Sequence, residues 1–470
     1  MTTTSATQAR TIGELRASGY QVPTIREELR NNLIRKIRAG ENPFPGIHGY
    51  EDTVVPQIEN AILAGQDMIF LGERGQAKTR IARSLINLLD EVTPVIAGCE
   101  INDNPYAPIC KQCRDRVAEH GDETEITWLP RDRRYGEKLA TPDTTIADLI
   151  GEVDPIKVAE GRYLSDELTL HYGLVPRTNR GIFCLNELPD LAERIQVGLL
   201  NIMEERDVQI RGYKVRLPLD IYVVASANPE DYTNRGRIIT PLKDRYGSQI
   251  RTHYPKTIEQ EIDIVEQEVT RFDSNGYQVT MPRFMLEIVA ELTQLARKSS
   301  DVNQRSGVSV RLSIANYENL TASALKRAIR LNEKEAAPRI SDLPALVAST
   351  MGKIELESAG EGREDKVVDK LIQHAVLNVF GRYFSVNEFD DVVAAFDSGR
   401  KMEASALLPS MDYVLAASQS KTMKAALQKI GAQGNPALAA SGVEFVLEGL
   451  HLNRKLNKDR TAAGARYRRG

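Results

Sequence analysis

The sequence is poor in cysteine, in tryptophan and in long apolar segments. It contains four cysteines and one tryptophan in 470 residues. So few cysteines exclude the disulfide framework that stabilises small secreted proteins. No apolar run approaches the length that spans a bilayer, and the N-terminus, Met1 to Ser5, lacks the basic start and apolar core of a signal peptide. We therefore expect a cytoplasmic protein without a membrane-spanning segment.

The chain also lacks an excess of charge of either sign. Its 61 basic residues face 65 acidic residues, for a net charge of −4. This balance gives no general reason to expect nucleic acid or an anionic membrane as a partner. The apolar content of 41% and the charged content of 27% are ordinary for a globular protein. The length predicts roughly two to four domains.

One loop has the pattern of a phosphate-binding loop. It follows the apolar run Met68–Leu71 and precedes the helical pattern Arg80–Leu89. The spacing fits G-x-x-x-x-G-K-[ST], in which backbone N–H groups cradle phosphates, lysine reaches the β- and γ-phosphates and the last hydroxyl binds Mg²⁺. The residues of the loop are Gly72, Glu73, Arg74, Gly75, Gln76, Ala77, Lys78 and Thr79. Ala77 replaces the second glycine, and we expect right-handed helical geometry there. The alternative is an ordinary strand–loop–helix connection.

A second apolar strand, Ile182–Leu185, ends in Asn186 and Glu187. In P-loop ATPases the acid after this strand orients or deprotonates the attacking water, and the residue before it holds the Mg²⁺ shell. Glu187 is therefore the candidate base. Asn186 stands where aspartate is usual; its amide can bond a magnesium-bound water but adds no charge. The alternative for the pair is a strand-to-helix turn with a polar cap.

Further polar residues are candidates for the same site. Asn228 follows the buried strand pattern Ile221–Ala227 and could hold the attacking water. Arginines between Arg235 and Arg245 could reach the γ-phosphate of a neighbouring subunit, or any of them could be a solvated surface charge. Ile47 and His48, just before the first core helix, could pack on adenine or belong to the hydrophobic core.

Three cysteines and a histidine lie in a polar, irregular stretch. They are Cys99, Cys110, Cys113 and His120. One C-x-x-C pair with a third cysteine and a histidine could bind zinc tetrahedrally. The alternative is a set of reduced cysteines in a surface insertion.

The remaining sequence patterns give the boundaries of the predicted segments. The segment Thr24–Ile37 has apolar residues at helical spacing with Thr24 as a cap, and Thr93–Gly98 predicts the next buried strand of the core. Glu355–Asp365 has the composition of a linker. The basic tail could bind nucleic acid or an acidic partner surface, but we expect it to be disordered and solvated. The predicted segments are an N-terminal helical segment 1–43, a core 44–260 with a cysteine-containing insertion 99–137, further inserts 139–174 and 207–218, a helical lid 275–355, a helical region 366–452 and the basic tail 453–470.

Taken in order, these motifs resemble the AAA+ ATPases, in the branch that holds the magnesium-chelatase ATPase subunit and the MoxR proteins. The resemblance covers about residues 40–320. It is carried by the loop ending in Ala-Lys-Thr and by Phe44–Gly49, Asn179–Ile182, Asn186–Glu187, Ser226–Glu230 and Pro241–Gly247. It implies an α/β fold: a P-loop core with a parallel sheet, an α-helical lid and an all-α C-terminal region.

The resemblance also implies roles for single residues. Asn228 matches the sensor 1 asparagine, and Arg245 matches the arginine finger that acts on the ATP of the neighbouring subunit. Arg311 is the best match to the sensor 2 arginine, with Arg305 as runner-up. The segment 139–174 matches the helix-2 insert of this branch. The segment 207–218, read as a β-hairpin from its alternation about Gly212, matches the pre-sensor-1 insert.

These implications give the expected function. We expect ATP and Mg²⁺ as ligands, a ring, with a hexamer as its expected size, and a separate integrin-I/VWA-type partner protein, whose Asp-x-Ser-x-Ser motif this chain lacks. The ring would be an ATP-driven motor that remodels a partner, with metal insertion into a tetrapyrrole as a variant. The alternative, which Asn186 keeps open, is a scaffold or transcription regulator that binds ATP with little turnover. The Gly-Ala-Phe-Thr-Gly-Ala signature of enhancer-binding activators is missing.

Overall fold

The computed structural model describes most of the chain and divides it into two compact units. The described residues are 9–154, 156, 159, 167–204, 207–209, 216–228, 237–271, 275–357, 363–461 and 464–469. The first unit is Met1–His253 and the second is Tyr254–Gly470. Each unit has hydrophobic core clusters of its own.

The first unit alternates helices and strands, as expected for an α/β core. Its helices are α1 Ile12–Ala17, α2 Ile25–Ala39, α3 Val55–Leu63, α4 Lys78–Ser84, α5 Lys111–His120, α6 Ile146–Leu149, α7 Leu174–Arg177, α8 Glu193–Glu204 and α9 Thr240–Arg245. Its strands are β1 Met68–Leu71, β2 Val92–Ile96, β3 Ile126–Pro130, β4 Tyr135–Leu139, β5 Gly151–Val153, β6 Leu170–Tyr172, β7 Gly181–Asn186, β8 Asp207–Gln209, β9 Arg216–Pro218, β10 Ile221–Ala227 and β11 Ser248–Arg251.

A five-stranded parallel sheet forms the centre of this unit, in the order β11-β1-β10-β7-β4. Every residue of β7 and β10 is buried, which explains why both strands are continuous apolar runs. The predicted parallel-sheet core is therefore confirmed. Parallel pairing places the carboxyl ends of β1, β7 and β10 at one edge, where open α/β sheets bind ligands.

The predicted position of β2 in the core sheet is wrong. Val92–Ile96 pairs antiparallel with β3 in a separate two-stranded sheet. Pro94 lies in this strand, and proline is confined to edge strands because it cannot donate a ladder hydrogen bond. The place beside β7 is taken by β4, which begins at Tyr135, within the stretch predicted as the insertion 99–137. Gly136 is required in β4 because a Cβ there would lie 2.2 Å from Thr178 Oγ1.

The predicted inserts contain short hairpins. Strands β5 and β6 pair antiparallel within the segment 139–174. Strands β8 and β9 pair antiparallel within 207–218, as the alternating pattern predicted, and the turn about Gly212 lies outside the described residues. The predicted Thr24 cap is confirmed: its hydroxyl accepts from Glu27 N at 3.3 Å and Glu27 Oε2 accepts from Thr24 N at 2.9 Å.

The second unit is predominantly helical, as predicted. Its helices are α10 Ile258–Glu268, α11 Arg283–Ala296, α12 Arg311–Leu331, α13 Leu346–Met351, α14 Arg363–Tyr383, α15 Asp390–Asp397, α16 Ser410–Ser418, α17 Lys421–Lys429 and α18 Pro436–Leu452. Its strands are β12 Gln278–Val279, β13 Glu335–Ala336, β14 Met402–Ala404, β15 Asn457–Thr461 and β16 Gly464–Arg468. Residues of α11, α14 and α18 share one core cluster. Of the predicted linker, residues 358–362 lie outside the described part, and α14 includes its end, Arg363 to Asp365.

The prediction that the basic tail is disordered is wrong for its described residues, although their basic side chains are exposed or half-buried, as solvation requires. Strands β15 and β16 form an antiparallel hairpin, and β14 adds to its other side. Tyr467 is buried, and its hydroxyl donates to Glu448. Two surface ion pairs accompany the hairpin: Arg466 pairs with Glu403 at 2.6 Å and Arg468 with Asp459 at 2.5 Å. Exposed pairs of this kind contribute little to stability, so the buried Tyr467 is the stronger anchor. Sequence reading noted Asp459 within the tail but could not place Glu403 beside Arg466, because the two residues are distant in the sequence. None of the helices described here is long and apolar enough to cross a membrane.

Candidate nucleotide-binding site

The predicted phosphate-binding loop connects β1 to α4, and Lys78 is the first residue of the helix. Gly75 has φ 75°, and Ala77 has φ 55° and ψ 15°. The expectation of right-handed geometry at Ala77 is therefore wrong: the position is left-handed, where a Cβ crowds the backbone. Glycine, which the pattern has at this position, avoids that strain. Ala77 therefore lowers the stability of the loop. Thr79 lies half-buried in the first turn of α4.

The start of the loop is packed too closely to accept a side chain. A Cβ on Gly72 would lie 2.0 Å from Thr252 Oγ1 and 2.2 Å from Gln76 Oε1. Gln76 Oε1 accepts from Thr252 Oγ1 at 2.8 Å and from Glu73 N at 3.1 Å. Thr252, which directly follows β11, thus fixes the loop, and sequence reading did not single it out.

Lys78 is buried and lies across the loop. Its Nζ donates to the carbonyl oxygens of Gly72 at 2.6 Å and Glu73 at 2.8 Å. It also donates to Asn228 Oδ1 at 2.5 Å. The lysine is 6% exposed, so its charge is compensated by oxygens that a phosphate could replace.

Asn228 links the lysine to the candidate base. Its Nδ2 donates to Glu187 Oε2 at 2.6 Å. Glu187 has φ 55°, a left-handed conformation uncommon outside glycine, and its backbone N donates to Ser226 Oγ at 3.2 Å. Such backbone strain concentrates at functional positions. Three residues predicted for the site, Lys78, Glu187 and Asn228, are therefore brought together by three adjacent strands.

Asn186 has a carboxylate beside it. Its Nδ2 donates to Glu137 Oε1 at 2.7 Å, and its Oδ1 accepts from Ser226 Oγ at 3.1 Å. Arg83 of α4 donates to both oxygens of Glu137, at 2.7 and 2.9 Å, and this contact raises the pKa of Arg83. Glu137 was missed because its strand, β4, was placed in the insertion.

The loop containing Ile47 and His48 meets the phosphate-binding loop through a third residue. Ile47 is buried in the hydrophobic cluster that also contains Phe44 and Tyr50, and His48 is half-buried. Tyr50 Oη donates to the carbonyl oxygens of Gln76 at 2.9 Å and His253 at 2.6 Å. Ile47 thus packs in the hydrophobic core, and contact of Ile47 or His48 with adenine stays a prediction. Tyr50 and His253 are the neighbours that sequence reading missed.

The candidate arginines are divided between the two units: Arg245 belongs to the first, and Arg305 and Arg311 belong to the second. Arg245, the last residue of α9, pairs with Glu204, and its Nη1 donates to Pro241 O at 2.8 Å. Arg311 and Arg305 are exposed residues of the second unit, and Arg311 is the first residue of α12. Their sensor roles stay predictions. Arg235 lies outside the described residues.

The cysteine cluster differs in composition from its prediction. Cys99, Cys110 and Cys113 do converge, but the fourth group is Asp103: one ligand atom from each lies within 4.8 Å of the others. His120 is not in this group; it ends α5 and faces Glu119 Oε2 at 3.8 Å. Burial, and then the nearby Cys99 sulfur, raises the pKa of Asp103 to about 6.

The sequence is similar to one protein family and to subunits of magnesium chelatase. The family described as "Sigma-54 interaction domain" matches residues 160–242. Magnesium-chelatase subunit ChlI-2 of Arabidopsis thaliana is 27% identical over 281 residues, which are 58% of this chain and 63% of that protein. Magnesium-chelatase subunit ChlI of Nephroselmis olivacea is 23% identical over 350 residues, 70% of this chain and 94% of that protein.

The chain thus spans a little under two thirds of the Arabidopsis protein. A structure of the complex between subunits BchI and BchD of magnesium chelatase has a TM-score of 0.36 at 19% identity, and the match covers 71% of this chain and 95% of that one. A TM-score of 0.36 is too low to support a conclusion about this chain. The sequence matches support the predicted resemblance: this chain is similar to the ChlI subunits of magnesium chelatase, and its parallel-sheet core has the fold that this resemblance implies.

Proposed function

We propose that the chain binds ATP with Mg²⁺ at the loop 72–79 and hydrolyses it to ADP and phosphate. The observation that carries this proposal is the hydrogen-bonded series Lys78–Asn228–Glu187 at the carboxyl ends of β1, β10 and β7. Lysine, a water-positioning amide and a general base are the three groups that hydrolysis of a phosphoanhydride requires at this edge of the sheet.

In this proposal Glu187 accepts a proton from the water that attacks the γ-phosphorus, and the bond to the β–γ bridging oxygen breaks to release ADP. Asn228 holds the Glu187 carboxylate by its amide N–H. Lys78 exchanges its contacts with Gly72 and Glu73 for phosphate oxygens. The backbone N–H groups of the loop bind the phosphates, so Gly75 can contribute without a side chain.

The oxygen donors near Asn186 fit a magnesium ion, which prefers hydroxyl, amide and carboxylate oxygens. We infer that Thr79 and Asn186 hold it directly or through water, and that Glu137 supplies the charge that Asn186 lacks. Glu137 is suited to this because it is already bonded to Asn186 Nδ2 at 2.7 Å. When bound, Mg²⁺ offsets negative charge on the β- and γ-phosphate oxygens.

We also propose a ring, with a hexamer as its expected size, in which Arg245 acts on the ATP of the adjacent subunit. Within one chain Arg245 pairs with Glu204. The ATP of the adjacent subunit would therefore have to displace Glu204 from Arg245. An arginine that acts in trans accelerates hydrolysis by stabilising charge as the phosphoryl group leaves.

The ring would remodel a partner, for which an integrin-I/VWA-type protein stays the expected class. Insertion of a metal into a tetrapyrrole is a narrower form of the same proposal.

A second candidate function is a nucleotide-dependent scaffold or transcription regulator with little turnover. Two observations favour it. Asn186 has both ends of its amide engaged by Glu137 and Ser226, and residues 160–242 match the sigma-54 interaction domain. The two functions share ATP binding and differ in hydrolysis.

Binding and hydrolysis should therefore be measured separately on the full chain. Lys78→Ala should weaken ATP binding, whereas Glu41→Gln, a change at an exposed acid paired with Lys36 at 3.4 Å, is the matched surface control and should leave binding and turnover unchanged. Tight binding by the wild type with turnover no faster than that of Lys78→Ala would favour the scaffold over the motor.

A further inference from the structure

A compact set of metal-binding groups lies between β2 and α5. Cys99 follows β2, Asp103 lies in the connecting loop, and Cys110 and Cys113 flank the start of α5. One ligand atom from each lies within 4.8 Å of the other three. Tetrahedral zinc with Zn–S bonds of about 2.3 Å needs sulfurs roughly 3.8 Å apart. The four groups are thus close enough to bind one ion with small side-chain adjustments.

Three of these four ionisable side chains are buried, which is unusual for a carboxylate and favours a bound cation. Asp103, Cys110 and Cys113 are buried, with 0%, 3% and 0% of their surface exposed. Asp103 Oδ2 accepts from the backbone N–H groups of Ile109 at 3.2 Å and Cys110 at 3.0 Å. Its other oxygen, Oδ1, is buried and has no hydrogen-bond partner among the described residues. A buried carboxylate oxygen without a partner is costly, and a cation at this position removes the cost.

The sulfurs are arranged as metal-bound thiolates are. The backbone N of Asp103 donates to Cys99 Sγ at 3.3 Å, and the backbone N of Cys113 donates to Cys110 Sγ at 3.4 Å. Such N–H contacts orient the ligands and stabilise negative charge on sulfur. Cys110 is also the N-cap of α5, a helix of 10 residues, where the helix dipole favours an anion.

We propose that Cys99, Asp103, Cys110 and Cys113 bind one structural zinc ion. Three soft thiolates and one carboxylate oxygen form a closed tetrahedral set, and its sulfurs select zinc over the hard cations magnesium and calcium. With four protein ligands, no position is open for a substrate, so the ion has a structural role. It joins the loop 97–110 to the start of α5 and to the core cluster that contains Cys110 and Cys113.

His120 is excluded from the coordination sphere by the helix itself. It lies seven residues after Cys113 on α5, which is about 10 Å of helix at 1.5 Å per residue. It therefore provides a matched control on the same helix. The proposal is independent of ATP hydrolysis, because neither Lys78 nor Glu187 takes part in it.

Metal content of the full chain, purified without chelator and without a nickel column, tests the proposal. We expect about one zinc per chain for the wild type and for His120→Ala, and a loss of at least half of it for Asp103→Asn and Cys113→Ser. Less than about one zinc per ten chains in the wild type, together with no zinc uptake by the chelator-treated chain, overturns it. Equal zinc loss in His120→Ala also overturns it.

A cobalt titration of the chelator-treated wild type keeps the proposal testable if the variants do not fold. One equivalent of Co²⁺ should produce the thiolate charge-transfer absorption and strong visible bands of a tetrahedral site, and zinc should displace them. A disulfide is the competing outcome. If thiol counting on the denatured, unreduced chain finds two free thiols instead of the four that the sequence contains, and no metal binds, the cysteines are a redox pair and the zinc site is refuted.

Discussion

The Nζ of Lys78 donates to Oδ1 of Asn228 at 2.5 Å, while Nδ2 of the same amide donates to Glu187 at 2.6 Å. One side chain thus connects the predicted phosphate-binding lysine with the predicted base. Phosphates that approach the loop must compete with Asn228 for the lysine. We infer that ATP binding alters the contacts of Asn228, and that the orientation of Glu187 changes with them.

The first prediction concerns Asn228. Asn228→Ala should lower kcat on the order of 100-fold, because the base loses its positioning contact, with a smaller change in ATP affinity. Steady-state turnover and nucleotide binding, measured on the same preparation, check this. Equal losses in both would instead indicate that the loop itself has collapsed.

Asn228→Asp should move the pH profile. A carboxylate beside Glu187 disfavours the charged form and raises the pKa of Glu187. A base must be deprotonated, so activity should be lost at a higher pH than in the wild type as the pH falls. A pH–rate profile of kcat measures the shift. An unchanged acid limb would contradict the role of Glu187 as the base.

The Asn186–Glu137 contact gives a compensation test. Glu137→Gln should raise the Mg²⁺ concentration for half-maximal hydrolysis about 10-fold, since a charge beside the metal site is removed. Adding Asn186→Asp to that variant should restore the wild-type requirement by placing a carboxylate at the usual position. Failure of Glu137→Gln to alter the Mg²⁺ dependence would show that Glu137 serves only to hold Arg83.

Asn186→Asp alone should destabilise the protein in a pH-dependent way. Two carboxylates at hydrogen-bond distance cannot both ionise without repulsion, so the folded-state pKa of one is raised above its unfolded value. The folded state then binds more protons at intermediate pH, and stability falls as the pH rises through this raised pKa. The Tm should drop more at pH 8 than at pH 5, and Glu137→Gln should remove the difference. A drop of equal size at both pH values would refute the coupling.

Backbone strain at Ala77 can be tested by its effect on the free energy of unfolding, without a measurement of activity. Ala77→Gly should raise the free energy of unfolding by about 1 kcal/mol, because a left-handed residue with a Cβ is replaced by glycine. Ala82→Gly, in the right-handed interior of α4, is the matched control and should lower it by a similar amount. Denaturant titration measures both. Destabilisation by both changes would show that φ 55° at Ala77 carries no strain.

Assembly is tested by mixing inactive variants. Arg245→Ala and Lys78→Ala should each be inactive, and their mixture should recover turnover, because an intact finger can serve an intact loop in the adjacent subunit. Arg177→Ala, at another surface arginine, paired with Glu100 at 3.9 Å, is the control and should be active by itself. A mixture with no more activity than its components would exclude an arginine finger at Arg245.

The sequence was sufficient for those parts of the fold that local patterns determine. The loop 72–79, the buried strands β7 and β10 and the cap at Thr24 all have short-range signals: glycine and lysine spacing, continuous apolar runs and a capping box. The proximity of Asn228 to Glu187 followed from the rule that the ends of adjacent parallel strands meet, whereas the contact between Lys78 and Asn228 was not predicted.

The errors have long-range causes. Strand β4, Tyr-Gly-Glu-Lys-Leu, is polar because it lies at the edge of the sheet, so its register beside β7, and hence Glu137, could not be predicted. The left-handed backbone at Ala77 was missed because alanine intrinsically favours the right-handed helix. Asp103 was missed because an isolated aspartate has no motif. Strand β16 was missed because β14, which pairs with it, is distant in the sequence.

The central claim is that this chain hydrolyses ATP and that Glu187 is the base. The most direct measurement is steady-state phosphate release by the full chain, for the wild type and for Glu187→Gln, with ATP binding measured in parallel. We predict that Glu187→Gln binds ATP as tightly as the wild type and loses turnover by at least about 100-fold. Equal turnover of the two proteins, at equal occupancy by ATP, would contradict the account.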